Sequence, residues 1–253
     1  AFDKSLASLL EPGMVSFTQD FRITEDEFRK IDEDARKADV IFLNPYGCSI
    51  SDYQVAVRYN KPVILSWGPN CRTVDVAAYC RSHGLECYIP DEVENLNQIL
   101  TLLKARKNFS KTRVLFPTDW KWPSVCSVAG INDPLKLKEL FGIELHVISY
   151  DEMSKEMERV RSDNAARKDA AGMADTVYEG ASRSFINRKY VANSMEFYLT
   201  VVNLMKRHSC NAFTIECFEF CTSRLPEKWN ITPCLIHTML KDMGIPSACE
   251  GDL

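Results

Sequence analysis

The chain carries none of the short signatures that mark common catalytic or nucleotide-binding folds. No Gly-x-Gly-x-x-Gly follows a candidate strand, so a dinucleotide fingerprint is absent. There is no Gly-x-x-x-x-Gly-Lys-Ser/Thr, which argues against a P-loop enzyme, and no His-Glu-x-x-His helix for zinc. Gly-x-Ser-x-Gly is also missing, which weakens an α/β-hydrolase reading. Apolar runs extend only a few residues, too short to span a bilayer, and no signal-peptide pattern opens the chain. Positive charge is not in excess. Lys and Arg number 31 against 35 Asp and Glu, for a net charge of −4. Phosphate backbones need clustered cations, so a general nucleic-acid binder is not expected. Internal repeats and low-complexity tracts are lacking too.

What remains is the composition of a globular protein. Hydrophobic residues make up 45% of the 253 and charged residues 26%, too apolar for a disordered chain. The length suits two domains of about 100–150 residues. Ten cysteines are scattered through apolar segments such as Phe213–Cys217, where a thiol behaves as a small hydrophobe. Reduced thiols and a cytoplasmic location are expected. Cys217 and Cys221 lack the spacing and partner pair of a zinc knuckle, although His208 and His237 lie nearby in sequence.

Strand and helix patterns alternate. Glu25–Lys37 reads as an amphipathic helix with Thr24 as its cap. Val40–Leu43 and Pro62–Trp67 read as buried parallel strands, each running into a loop. Helices are expected over 52–59, 74–82 and 93–106, with a short strand at 86–89. The polar stretch Asn108–Thr112 marks a boundary between domains 1–110 and 111–253. Beyond it come a strand from Arg113, helix 134–141, strand 144–148, helix 150–161, a polar Ala-rich stretch 162–174 and a long helix 189–208. Strand 212–218, helix 231–243 and a last strand 247–249 complete the order. The β-α repeat predicts an α/β class with two Rossmann-like domains, each a parallel sheet with helices on both faces, three layers in all.

Ligands of open α/β sheets bind beyond the carboxyl ends of the strands. Asn44, Tyr46 and Cys48, then Trp67 and Asn70, come after strands in the first half; Asp119, Trp120, Lys121 and Trp122 come after one in the second. These aromatic and hydrogen-bonding side chains suit a sugar, and Asn44, Tyr46, Trp120 and Lys121 are the substrate-binding candidates. The strongest constellation is C-terminal. Glu216, Glu219 and Glu227 succeed one strand, and Glu250 and Asp252 succeed the next. If those strands are neighbours, carboxylates from both meet at one sheet end. Carboxylates without histidine favour a hard divalent cation, Mg²⁺ or Mn²⁺. Solvated loop acids are the plain alternative.

The segments Phe213-Thr-Ile-Glu-Cys-Phe-Glu-Phe220, Pro233-Cys-Leu235 and Gly244-Ile-Pro-Ser-Ala-Cys-Glu-Gly-Asp-Leu253 resemble the L-fucose isomerase-like family, which is related to the L-arabinose isomerases. That family has a strand ending in an acidic ligand, a Pro-Cys-Leu helix start and a Cys/Thr-Glu-x-Asp segment. The resemblance implies a metal-dependent interconversion of aldose and ketose through an ene-diol, with Mn²⁺ as the usual cation. It assigns Asp252 and Glu219 as metal ligands and catalytic carboxylates, with Glu227 and Glu216 as alternatives to Glu219. It further implies a third, β-rich domain supplying a histidine ligand beyond Leu253. On that reading the chain is a fragment of a longer homo-oligomeric enzyme that acts on a small-molecule sugar, with no nucleic-acid or membrane partner. None of His83, His146, His208 and His237 matches the family's histidine, since all precede Asp252. The competing reading is a non-catalytic sugar-binding or sensor module of two α/β domains.

Overall fold

The computed structural model describes residues 10, 13–15, 23–44, 52–66, 68–120 and 133–251. Among the described residues the protein is α/β, with two fully parallel sheets of three and four strands. It divides into two compact units, Ala1–Ala105 and Arg106–Leu253. The division falls inside a helix, α4 (Val93–Phe109), which continues past its expected end at Arg106.

The first unit is built on β1 (Ile41–Leu43), β2 (Val63–Leu65) and β3 (Cys87–Tyr88), in that spatial order. Ile41 registers with Val63, and Val63 with Cys87. Successive side chains of a strand point to opposite faces, and those of β2 enter two different clusters. Val63 and Leu65 pack with Phe28, Ile31, Val55 and Val76, whereas Ile64 packs with Leu96 and Leu103 of α4. Helices therefore cover both faces, and β2 reads as a continuous apolar run because neither face meets water. Burial of a side chain the size of Ile64 contributes about 1.5–3 kcal/mol relative to exposure.

Two of the three helices over the first of those faces start at side-chain caps. In α1 (Glu25–Lys37), the Thr24 hydroxyl accepts from the Glu27 amide, acids fill the first turn and Arg36 and Lys37 the last. Helix α2 spans Tyr53–Tyr59. Helix α3 (Cys71–Ser82) begins three residues before its expected start at Val74. Asn70 accepts from the Arg72 and Thr73 amides, and Thr73 returns a bond to the Asn70 amide. This capping box uses Thr at the position where Glu or Gln is usual, so the sequence signature was hidden.

The second unit carries β4 (Arg113–Pro117), β5 (Glu144–Ile148), β6 (Ala212–Ile215) and β7 (Ser247–Cys249), in the order β5-β4-β6-β7. Helix α5 (Pro134–Phe141) covers one face, where Val114, Leu137, Ile143 and Ala212 cluster. The opposite face carries the main core, in which Leu115, Phe213 and Ile215 meet α6 (Tyr150–Ser162) and α8 (Arg188–Arg207). In the chain between them comes α7 (Asn164–Gly180), which buries Ala170 and Ala174 against Val191 and Met195 of α8. Small residues at that spacing let two helices approach closely.

The strand expected over 212–218 is shorter than the apolar pattern suggested. It stops at Ile215, and α9 (Cys217–Thr222) begins almost at once. The cause is Glu216, whose carboxylate accepts from the Phe218 amide and caps the new helix. Short helices α10 (Leu225–Trp229) and α11 (Cys234–Asp242) lead on to β7. Since every strand is parallel, the segments leaving β4, β5, β6 and β7 emerge at one edge of the sheet.

Candidate functional site

Strands β6 and β7 are neighbours. Ile215 registers with Cys249, and the Gly251 amide donates to the Ile215 carbonyl at 3.1 Å. That bond needs a sharp reversal after β7, made by Glu250 and Gly251 with φ of 61° and 71°. A left-handed glutamate costs backbone energy, whereas glycine adopts this conformation freely. The segments holding Glu216, Glu219 and Glu250 thus leave one sheet edge side by side.

Glu219 is the centre of the arrangement. It lies on α9, 2% exposed, and its carboxylate is turned toward the loop after β4. Oε1 accepts from the amides of Asp119 (2.7 Å) and Trp120 (2.8 Å), and Oε2 accepts from the Thr118 hydroxyl. The loop is tied back in two further places. The Trp120 amide also donates to Thr118 Oγ1 at 3.1 Å, and Asp119 Oδ1 accepts from the Tyr150 amide at 3.1 Å. One buried carboxylate therefore organises the exit of β4, and through Asp119 it reaches the start of α6.

Tyr150 stands beside it. Its hydroxyl is buried and makes no hydrogen bond of ordinary geometry. Burial raises the phenol pKa most, then the nearby Glu219 carboxylate, then Asp119 and Glu216. Tyr150 is thus held neutral. Its ring rests on Phe220 at 5.7 Å between centroids, which continues the aromatic core under α9.

Cys217 lies at the same edge, where burial and the Cys249 thiol push its pKa up to about 12, with Glu250 and Glu216 adding to the effect. Such a thiol stays protonated and is a poor nucleophile. A different polar contact lies at the start of β7. His237 is buried, its Nδ1 bonded to Ser247 Oγ at 2.5 Å, and burial lowers its pKa. This pair sits at the start of β7, away from the carboxyl edge.

The remaining sequence candidates are scattered. Glu216 caps α9 from the end of β6. Glu227 is on α10 and forms a surface ion pair with Arg224 at 2.8 Å. Trp120 lies past β4 and is 45% exposed. Asn44 is exposed at the end of β1. Tyr46, Lys121 and Asp252 lie outside the described residues. The other histidines have local roles: His83 stacks on Tyr79, His208 bonds Glu152, and His146 bonds Arg113.

Sequence reading missed Thr118 and Tyr150. Thr118 had no motif to reveal it, because its role depends on a partner 101 residues away. Tyr150 comes directly after Ser149, whose hydroxyl caps α6, so a helix start at a strand exit was its only signal. Asp52 was missed as well. It is a buried carboxyl before α2, with one oxygen lacking a hydrogen-bond partner and a pKa raised by burial.

For a divalent cation the donor chemistry is suitable but incomplete. Hard oxygen ligands are present, yet Glu219 has already accepted three hydrogen bonds. Among the described residues, no group of three or more His, Cys, Asp or Glu is arranged to hold a metal. Among the described residues, too, no helix is long and apolar enough to cross a membrane. No protein-family model and no curated protein matches the chain.

Proposed function

We propose that the chain is the α/β portion of a metal-dependent aldose–ketose sugar isomerase resembling the L-fucose isomerase-like family. The observation that carries this reading is the adjacency of β6 and β7, which brings the Glu216–Glu219 segment and the Glu250–Gly251 turn to one sheet edge. Those segments bear the resemblance. Two Rossmann-like, three-layer domains belong to the same reading, as do Mn²⁺, or alternatively Mg²⁺, and a cytoplasmic homo-oligomer.

The reaction moves one proton between neighbouring carbons of an open-chain sugar. A carboxylate, Glu219 or Asp252, removes it from the carbon beside the carbonyl and delivers it to the old carbonyl carbon. The hydroxyl proton moves to the former carbonyl oxygen, so no atom is gained or lost. A divalent cation, when bound, supplies positive charge for the sugar oxygens. The residues around Glu219 hold its carboxylate in one orientation: Thr118 and two backbone amides fix both oxygens. Tyr150 lies buried beside Glu219 and stays neutral, so it adds no second charge at this edge.

A second reading is favoured by the same contacts. A carboxylate with three donors is already satisfied without a cation. In a non-catalytic sugar-binding or sensor module, Glu219 would serve only to hold the β4 loop. Calorimetric titration with Mn²⁺ and an aldose panel with and without Mn²⁺ separate the two. The isomerase reading expects Mn²⁺ binding that is weakened in Asp252→Ala and Glu219→Gln, and Mn²⁺-dependent ketose formation. Metal affinity unchanged in both variants, together with sugar binding that ignores Mn²⁺, sinks it in favour of the module.

A further inference from the structure

Away from the carboxyl edge, three cations carried by three successive helices face one cavity. Arg161 comes from the last turn of α6, Arg167 from the first turn of α7 and Lys189 from the first turn of α8. With Glu196, Asn193 and Asn230, they line a space of about 310 Å³. None of its lining residues belongs to the Glu219 group.

The charge is unbalanced. Glu196 is the one acid among the lining residues, against three cations, which leaves a surplus of two positive charges. Glu196 is also engaged, since Arg161 Nε donates to its Oε2 at 2.9 Å. Arg161 Nη2 donates to the Trp229 carbonyl at 2.8 Å. These two anchors hold the guanidinium in place and leave other N–H groups of its fork for a ligand. Arg167 and Lys189 have no ion-pair partner among the described residues, although carboxylates are common on the surrounding helices. Asn193 donates to the Asn230 carbonyl at 3.3 Å, which orients its amide and leaves its Oδ1 to accept from a hydroxyl.

A surplus of two charges matches a dianion. A planar guanidinium and a flexible ammonium together suit tetrahedral oxygens, and the volume is at the lower end of small-ligand sites. We propose that this cavity binds a phosphate group, either free or as the monoester of a small polyol. The phosphate sits between Arg161, Arg167 and Lys189, and the asparagine amides take hydroxyls of the ester. The proposal does not depend on the isomerase reading, since it uses none of the carboxyl-edge residues.

The test is calorimetric titration of the whole chain with inorganic phosphate, glycerol phosphate and malonate. Phosphate binding that weakens with added salt is expected. In the double variant Arg167→Ala/Lys189→Ala it should fall about tenfold, the size expected for two exposed charge contacts. Both side chains are exposed, so thermal melting should be unchanged; should the double variant melt early, Lys189→Gln gives the same comparison. Tighter binding of glycerol phosphate identifies the ester as the ligand, and equal affinity identifies the phosphate group alone. Absence of binding at millimolar phosphate, equal affinity in the variants, or preference for malonate would overturn the proposal.

Discussion

Replacing Glu219 should damage the protein far more than replacing its neighbour Tyr150, although both are buried at the same sheet edge. Glu219→Ala removes the acceptor of three donors. The Trp120 amide keeps a second acceptor, Thr118 Oγ1, but the Asp119 amide and the Thr118 hydroxyl are left without one. Each orphaned donor costs about 1–3 kcal/mol, relieved in part where water enters the vacated space. The expected loss is about 2–5 kcal/mol. In Glu219→Gln, the side-chain carbonyl can keep the two amides while the Thr118 hydroxyl reverses to accept from the new amide. The bonds persist without charge assistance, so the loss should be about 1–3 kcal/mol. Tyr150→Phe removes a hydroxyl with no hydrogen bond of ordinary geometry and should change stability by less than about 1 kcal/mol. Urea unfolding monitored by tryptophan fluorescence is the assay. Three of the four tryptophans, Trp120, Trp122 and Trp229, belong to the second unit, so the signal reports mainly on it. The midpoints should fall in the order Tyr150→Phe, Glu219→Gln, Glu219→Ala from high to low, at a constant slope. A Glu219→Ala variant as stable as Tyr150→Phe would refute the organising role given to this carboxylate.

Other consequences concern pH and backbone geometry. Hydrogen bonds from Arg58 and Tyr59 hold the Asp32 pKa down, from 3.8 to about 2. A depressed pKa means stability that is present above 3.8 and lost as pH falls toward about 2. Asp32→Asn should therefore flatten the acid decline of the first unit over that window, measured by urea midpoints against pH; an unchanged acid limb would contradict it. The Tyr150 phenol is shifted the other way, so stability is full below its unfolded value near 10 and declines as pH rises beyond it. Tyr150→Phe should soften that alkaline decline. At Gly142, φ is +73° and an added Cβ would lie 2.7 Å from the Ser110 Cβ and 2.8 Å from its Cα. Gly142→Ala should cost about 1–3 kcal/mol, read by thermal melting, because neither backbone nor neighbour can yield cheaply.

Much of the architecture was legible in the chain. The apolar runs Val40–Leu43 and Pro62–Trp67 read as parallel strands because burial on both faces removes the polar alternation, and β1 and β2 form within them. Pro134–Phe141, Glu144–Ile148 and Ser247–Cys249 have the bounds that their caps and patterns imply. Less legible was the end of β6, where Phe218 and Phe220 prolong an apolar pattern but Glu216 turns the chain into a helix. Helices α7 and α10 were also obscure, one polar and Ala-rich, the other only five residues long.

For the candidate site the division is sharper. By its residue types the sequence determined that carboxylates come after the last two strands, and that the fold is a β-α alternation. Both are local properties, set by periodicity and by order along the chain. Only the tertiary structure decided that β6 and β7 pair, that Glu219 turns inward to Thr118, and that Tyr150 stands beside it. It likewise brought Arg161, Arg167 and Lys189 around one cavity. Each of these depends on partners tens of residues apart, whose meeting is dictated by strand order and helix packing rather than by any spacing in the sequence.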